Sequence, residues 1–164
     1  MTGIAFQEQS DYRSLSEAAS EQLLALMHRK PDAVICLATG ATPVLTYQLL
    51  VDKITAQQVD ISRITFVKLD EWVGLSPEDP ATCEVFLQQH ILKPLGVAPE
   101  NYISFRSDNA DDSECARIVE QITQRGGLDL CVLGIGKNGH LGLNEPDEQL
   151  EPACHITHLD ERSR

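Results

Sequence analysis

Six consecutive residues, Ala33-Val34-Ile35-Cys36-Leu37-Ala38, contain no charged side chain and no strongly polar one, and no other feature constrains the fold as much. A strand with one face in water alternates apolar and polar residues. An unbroken apolar run of strand length marks a strand covered on both faces, as in a parallel sheet flanked by helices. The neighbouring sequence supplies helices. Upstream, Leu15, Ala18, Ala19, Leu23, Leu26 and Met27 recur at helical spacing before Pro31, with Ser14 and Glu17 fitting a capping box. Downstream, Thr42-Pro43 reads as the N-cap and first-turn pair of a helix reaching residue 54.

The alternation continues. Strands are expected over 64–69, 102–105 and 128–133, and helices over 82–92 and 113–125, the last stopped by Gly126-Gly127. Strands that alternate with helices predict an α/β three-layer sandwich with a mostly parallel, Rossmann-like doubly wound sheet. At 164 residues the chain is expected to be a single domain, 1–164, with no linker or internal repeat.

Charge narrows the partners. Twenty-five acidic residues against 13 basic ones give a net charge of −12, which disfavours phosphodiester backbones and anionic lipid surfaces. An anionic small molecule would need a local trap of backbone amides and a few cations. The five cysteines, Cys36, Cys83, Cys115, Cys131 and Cys154, form no C-x-x-C pair. They read as reduced thiols, with Cys36 and Cys131 as small hydrophobes in buried strands. There is no signal-peptide core and no apolar run of membrane-spanning length, so a cytoplasmic protein is expected.

In doubly wound sheets, ligands sit outside the carboxyl ends of the strands. Three polar segments follow three apolar strands. Thr39-Gly40-Ala41-Thr42 can present free amides to an anion. It lacks the lysine of a P-loop and the spacing of a dinucleotide fingerprint, so a sugar phosphate fits better than a nucleotide. By itself the segment reads equally well as a tight turn with a helix cap. The second segment, Lys68-Leu69-Asp70-Glu71-Trp72, has adjacent carboxylates of which one can face the site. Asp70 is the expected one; the plainer reading makes Asp70 a turn cap and leaves Glu71 solvated. In the third, Gly134 to Pro146, closely spaced glycines bend the chain to present His140 and Asn138, and Glu145 can orient the imidazole. No third ligand makes this a convincing metal site, and His155 and His158 are expected on a structural strand.

In this order, A-T-G-A-T-P, L-D-E-W-V-G-L and G-I-G-K-N-G-H-L-G-L-N-E-P resemble the glucosamine-6-phosphate deaminase / 6-phosphogluconolactonase family, over most of the chain. Asn144-Glu145-Pro146 is similar to the deaminase/isomerase branch, and K-N-G-H-L-G-L to its galactosamine-6-phosphate members. The resemblance implies a cofactor-free and metal-free reaction on a small-molecule sugar phosphate, either galactosamine 6-phosphate to tagatose 6-phosphate plus ammonia or the glucosamine equivalent. His140, held by Glu145, would open the sugar ring, and Asp70 would carry the C2 proton to C1. Asn138 would orient a hydroxyl or His140, while Thr39, Gly40, Ala41, Thr42 and Lys137 would hold the phosphate or neighbouring hydroxyls. A homo-oligomer is compatible with the family.

Two departures stand out. The glucosamine enzymes usually carry Asp where Asn138 stands, which leaves isomerisation without deamination open. Family members are also longer, and the additional part resembles a region that supplies a lid, further sheet and basic phosphate ligands. The chain is therefore expected to be incomplete at its C-terminus, with Lys137, Arg162 and Arg164 as the nearby cations. Two alternatives remain: a lactonase-type hydrolase and a sugar-phosphate-binding fragment without catalysis.

Overall fold

The computed structural model describes residues 4–108, 111–147, 151 and 153–159. The first apolar stripe forms α1 (Tyr12–Arg29). Its N-cap is Asp11, whose Oδ1 accepts from the Ser14 amide at 2.8 Å, so the Ser14–Glu17 capping box is not used. Ser14 instead donates its hydroxyl to Asp11, and Glu17 pairs with Arg13. A carboxylate at the cap also meets the positive end of the helix, which a serine hydroxyl cannot match.

Strand β1 (Val34–Leu37) is buried throughout, and α2 (Val44–Gln57) follows. Thr42 is not the α2 cap: Pro43 holds that position with helical backbone and no side-chain hydrogen bond. Tyr12 of α1 does the capping. Its hydroxyl accepts from the Leu45 amide at 3.2 Å and lies 3.0 Å from the Thr42 carbonyl, to which it donates.

Strand β2 (Thr65–Lys68) leads to α3 (Cys83–Leu87), which Thr82 caps through the Val85 amide. This helix widens into a π-helical turn (Gln88–Leu92) and ends in α4 (Lys93–Leu95). Strand β3 (Tyr102–Ile103), α5 (Asp112–Gln124) and strand β4 (Leu130–Cys131) complete the described elements. Both β3 and β4 are shorter than the expected 102–105 and 128–133. His155 and His158 lie in irregular chain rather than on the expected strand.

The four strands pair in parallel, in the order β3-β2-β1-β4. The α/β, doubly wound expectation holds. Side chains of β1 alternate between two cores. Ile35 and Leu37 join Leu23, Met27, Tyr47 and Phe66 beneath α1 and α2, whereas Val34 and Cys36 join Val67, Ile103 and Ile118 beneath α5. Two covered faces explain why the β1 sequence shows no polar alternation. Cys131 corrects its expected burial: β4 is an edge strand of the described sheet, and Cys131 is exposed.

At the amino end of the sheet, Asp129 fastens β4 to β1. Its Oδ2 accepts from the Val34 amide at 2.8 Å and from Lys30 Nζ at 2.6 Å. Among the described residues, no helix is long and apolar enough to cross a membrane.

Candidate active site

The chain leaves β1 toward β2 and β3 on one side, then returns to place β4 on the other. The carboxyl ends of β1 and β4 therefore flank the crevice where sheets of this topology bind ligands. A cleft of about 540 Å³ lies there, and Thr39, Gly40, Ala41, Thr42, Asp70 and His140 all line it. Gly40 turns the chain with φ +99°, a left-handed conformation that suits glycine.

Asp70 stands at the end of β2. Cys83 Sγ donates to its Oδ1 at 3.6 Å. Burial pushes the carboxyl above its ordinary value, the neighbouring Glu71 charge adds to that, and Cys83, the Leu143 amide and Lys68 oppose it. Gly142, with φ +60°, comes so close that a Cβ there would lie 3.0 Å from Asp70 Oδ2. The loop after β4 is thereby seated directly on the carboxylate after β2.

That loop is folded around His140. The Gly136 amide donates to the His140 carbonyl at 2.8 Å, and the Gly139 amide to the Gly136 carbonyl at 2.9 Å. A methyl group on Gly136 would overlap the imidazole itself. Asn138 stands between His140 and Glu145: its Nδ2 donates to Glu145 Oε2 at 2.7 Å, and its Oδ1 lies 2.7 Å from His140 Nδ1. An amide oxygen only accepts, so Nδ1 carries the proton in this contact and Nε2 is the nitrogen that can exchange one.

Lys137 and Asn138 are exposed, and neither Lys137, Asn138 nor Glu145 lines the cleft. Arg162 and Arg164 lie outside the described residues.

Glu71 corrects the plainer reading of its segment. It is not solvated: its side chain is 2% exposed and 2.6 Å from the equally buried Lys68 Nζ. Its carboxylate also accepts from the amides of Trp72, Cys83 and Glu84 at 2.8–2.9 Å. It thus caps α3 and fixes the chain just after Asp70. Lys68 reaches Glu84 as well, which takes further bonds from Gln88 and Tyr102. Burial works against the Glu84 charge, but these donors outweigh it and hold the carboxyl below its ordinary value. The signal in the sequence was a lysine ending a strand otherwise fit for burial.

A family described as Glucosamine-6-phosphate isomerases/6-phosphogluconolactonase matches residues 7–142. The chain belongs to this family. Its relatives include the Escherichia coli (strain K12) protein AgaI, whose name gives it provisionally as a deaminase. That protein is 62% identical over 158 residues, covering 96% of this chain and 63% of AgaI. A glucosamine-6-phosphate deaminase of Clostridium tetani (strain Massachusetts / E88) is 40% identical over 150 residues, 91% of this chain and 62% of that enzyme. Among solved structures, a monomeric glucosamine-6-phosphate deaminase superposes with a TM-score of 0.92 at 32% identity, over 98% of this chain and 67% of that one. The chain thus spans somewhat under two thirds of the length of the two sequence relatives.

Proposed function

We propose that this chain carries the proton-transfer groups of an amino-sugar 6-phosphate isomerase/deaminase, acting on galactosamine 6-phosphate or its glucosamine counterpart. The observation that carries the reading is the seating of the His140 loop, through Gly142, on the Asp70 carboxylate at the mouth of the β1/β4 crevice. A carboxylate and an imidazole that line one cleft can act in turn on one sugar.

In this reading the sugar binds as a ring. His140 moves a proton between the anomeric hydroxyl and the ring oxygen, with Asn138 and Glu145 holding its Nδ1 side. The released aldehyde acidifies the C2 proton. Asp70 takes that proton and returns it to C1, so that the enolamine becomes an imine at C2. Water adds to the imine and ammonia leaves, giving the ketose 6-phosphate. A base kept above the ordinary carboxylate value by burial is a stronger proton acceptor at no cost in position. Amides of the Gly40–Thr42 turn supply the anion contacts, and Lys137, exposed in the His140 loop, is the cation offered to the phosphate. Five free thiols fit a reduced, cytoplasmic setting.

The test is ammonia release and ketose formation, measured with galactosamine 6-phosphate and glucosamine 6-phosphate side by side in deuterated solvent. The reading expects the native protein to move the C2 hydrogen to C1, with deuterium at C1 to the extent that the proton on Asp70 exchanges with solvent before delivery, and Asp70→Asn to do neither. Retained exchange in that variant overturns the assignment of Asp70.

A further inference from the structure

Cys83 joins two residues of the cleft that come from different strands. Its Sγ lies 3.6 Å from Asp70 Oδ1 and 3.3 Å from Thr39 Oγ1. Cys83 is 5% exposed, and its amide is fastened to the buried Glu71 carboxylate at 2.9 Å. The sulfur is therefore held in place by the same carboxylate that caps α3.

Donor counting fixes the direction of both contacts. An ionised Asp70 has no proton to give, so the thiol gives Asp70 its only one. The thiol proton is available at neutral pH, because burial and then the nearby carboxylates outweigh Thr39 and push the thiol up to about 12. With the thiol proton committed, the short contact to Thr39 is made by the Thr39 hydroxyl donating to sulfur. Only lone pairs then remain on Thr39 Oγ1 toward the cleft.

We infer that Cys83 is a positioning residue that couples Thr39 to Asp70, turning the Thr39 hydroxyl into an acceptor that takes a donor group of the sugar, a hydroxyl or an ammonium, and not a phosphate oxygen. The inference rests on the reading of Asp70 as the proton-accepting group. It also divides the turn after β1 into two roles: the amides of Gly40, Ala41 and Thr42 meet the anion, and the Thr39 side chain meets a protonated heteroatom. When Asp70 takes a proton, the demand on the thiol falls and the Thr39 contact weakens with it.

The test uses the titration of the Asp70 side-chain carboxyl, followed by 13C NMR on the chain itself, so that it needs no turnover. Besides Cys83, the groups facing Asp70 are Lys68 and Glu71 on its own segment, Cys36, Cys131 and Tyr47 from the elements beneath it, and His140 across the cleft. None of these is altered by the variants. Cys83→Ala is expected to raise the Asp70 midpoint, and Thr39→Val to raise it by less. Thr39→Val should add nothing in the Cys83→Ala background. A Thr39→Val effect of equal size in both backgrounds, or an unmoved midpoint in Cys83→Ala, overturns the coupling.

Cys83→Ser keeps a donor and should keep the sensitivity to Thr39→Val; this pair decides the question if the alanine variant does not fold. Glucosamine 6-phosphate and inorganic phosphate, titrated against Thr39→Val, report the polarity. Several-fold weaker sugar-phosphate binding with unchanged inorganic phosphate is expected, and equal weakening of both, or of neither, overturns it. A chain that passes these tests but produces no ketose refutes the proposed reaction and leaves the coupling standing.

Discussion

Lys68 and Glu71 form an ion pair of 2.6 Å in which both side chains are almost fully shielded from solvent. Removing one partner leaves the other charge buried. Lys68→Met is expected to cost about 3 kcal/mol in urea unfolding, and Glu71→Gln a similar amount because three amides also lose their acceptor charge. The double variant should cost less than the sum of the two. Additivity would show that the pair is not coupled.

Asp70 trades stability for reactivity. Its folded-state pKa is raised, chiefly by burial, so the native state holds the proton more tightly than the unfolded chain does. Stability falls as pH rises through the window between the ordinary carboxylate value and the raised one, and the loss persists above it. Asp70→Asn should therefore unfold at higher temperature than the native protein at pH 7. The gap should narrow as pH is lowered through that window, as followed by calorimetry.

Gly136→Ala drives a methyl group into the His140 ring. His140 has to leave its contact with Asn138, while the sheet beneath is untouched. Expected are an activity loss of about tenfold or more and a change in the imidazole 15N signals. The free energy of unfolding should stay within roughly 0.5 kcal/mol of the native value.

Glu145→Gln keeps the shape of the Glu145–Asn138–His140 chain and removes its charge. Ring opening that passes through an imidazolium loses its electrostatic support, so kcat should fall by about tenfold or more. Lactone hydrolysis makes no such demand on Glu145. Hydrolysis of 6-phosphogluconolactone at the native rate by the variant, with no amino-sugar turnover in the native protein, would favour the lactonase reading.

Glu114 tests the start of α5. Arg117 holds it down to about 2, with the Arg106 amide helping against burial. A depressed carboxyl contributes stability above its unfolded value that is lost as pH falls toward the folded one. Glu114→Gln should flatten the acid limb of the stability curve and cost roughly 1–3 kcal/mol at pH 7.

The parts of the fold legible in sequence were those set by local pattern. β1 announced itself because both its faces are covered, and the three loops could be found because each follows an apolar run of strand length. What escaped depended on partners distant in sequence. Thr42 lost its capping role to Tyr12, 30 residues earlier. Glu71 looked solvated because its amide partners arrive 12 and 13 residues later, when α3 folds back. Alternation at residues 70 and 71 left room for one carboxylate in the cleft without saying which, and Cys83 beside Asp70 carried no signal at all. Asn138 was read as orienting a hydroxyl or His140, with Glu145 holding the imidazole; its place between Glu145 and His140 was not foreseen.

The Asp129 fastening carries a consequence for how the cleft comes into being. It joins β4 to β1 across 95 residues, whereas β1 and β2 follow one another with a single helix between them. Closing so long a loop is entropically expensive before any contact rewards it, and pairings of this kind form late. The Asp70 side of the crevice should therefore be in place while the His140 side is still searching, so that competence to bind is the last thing the folding chain acquires.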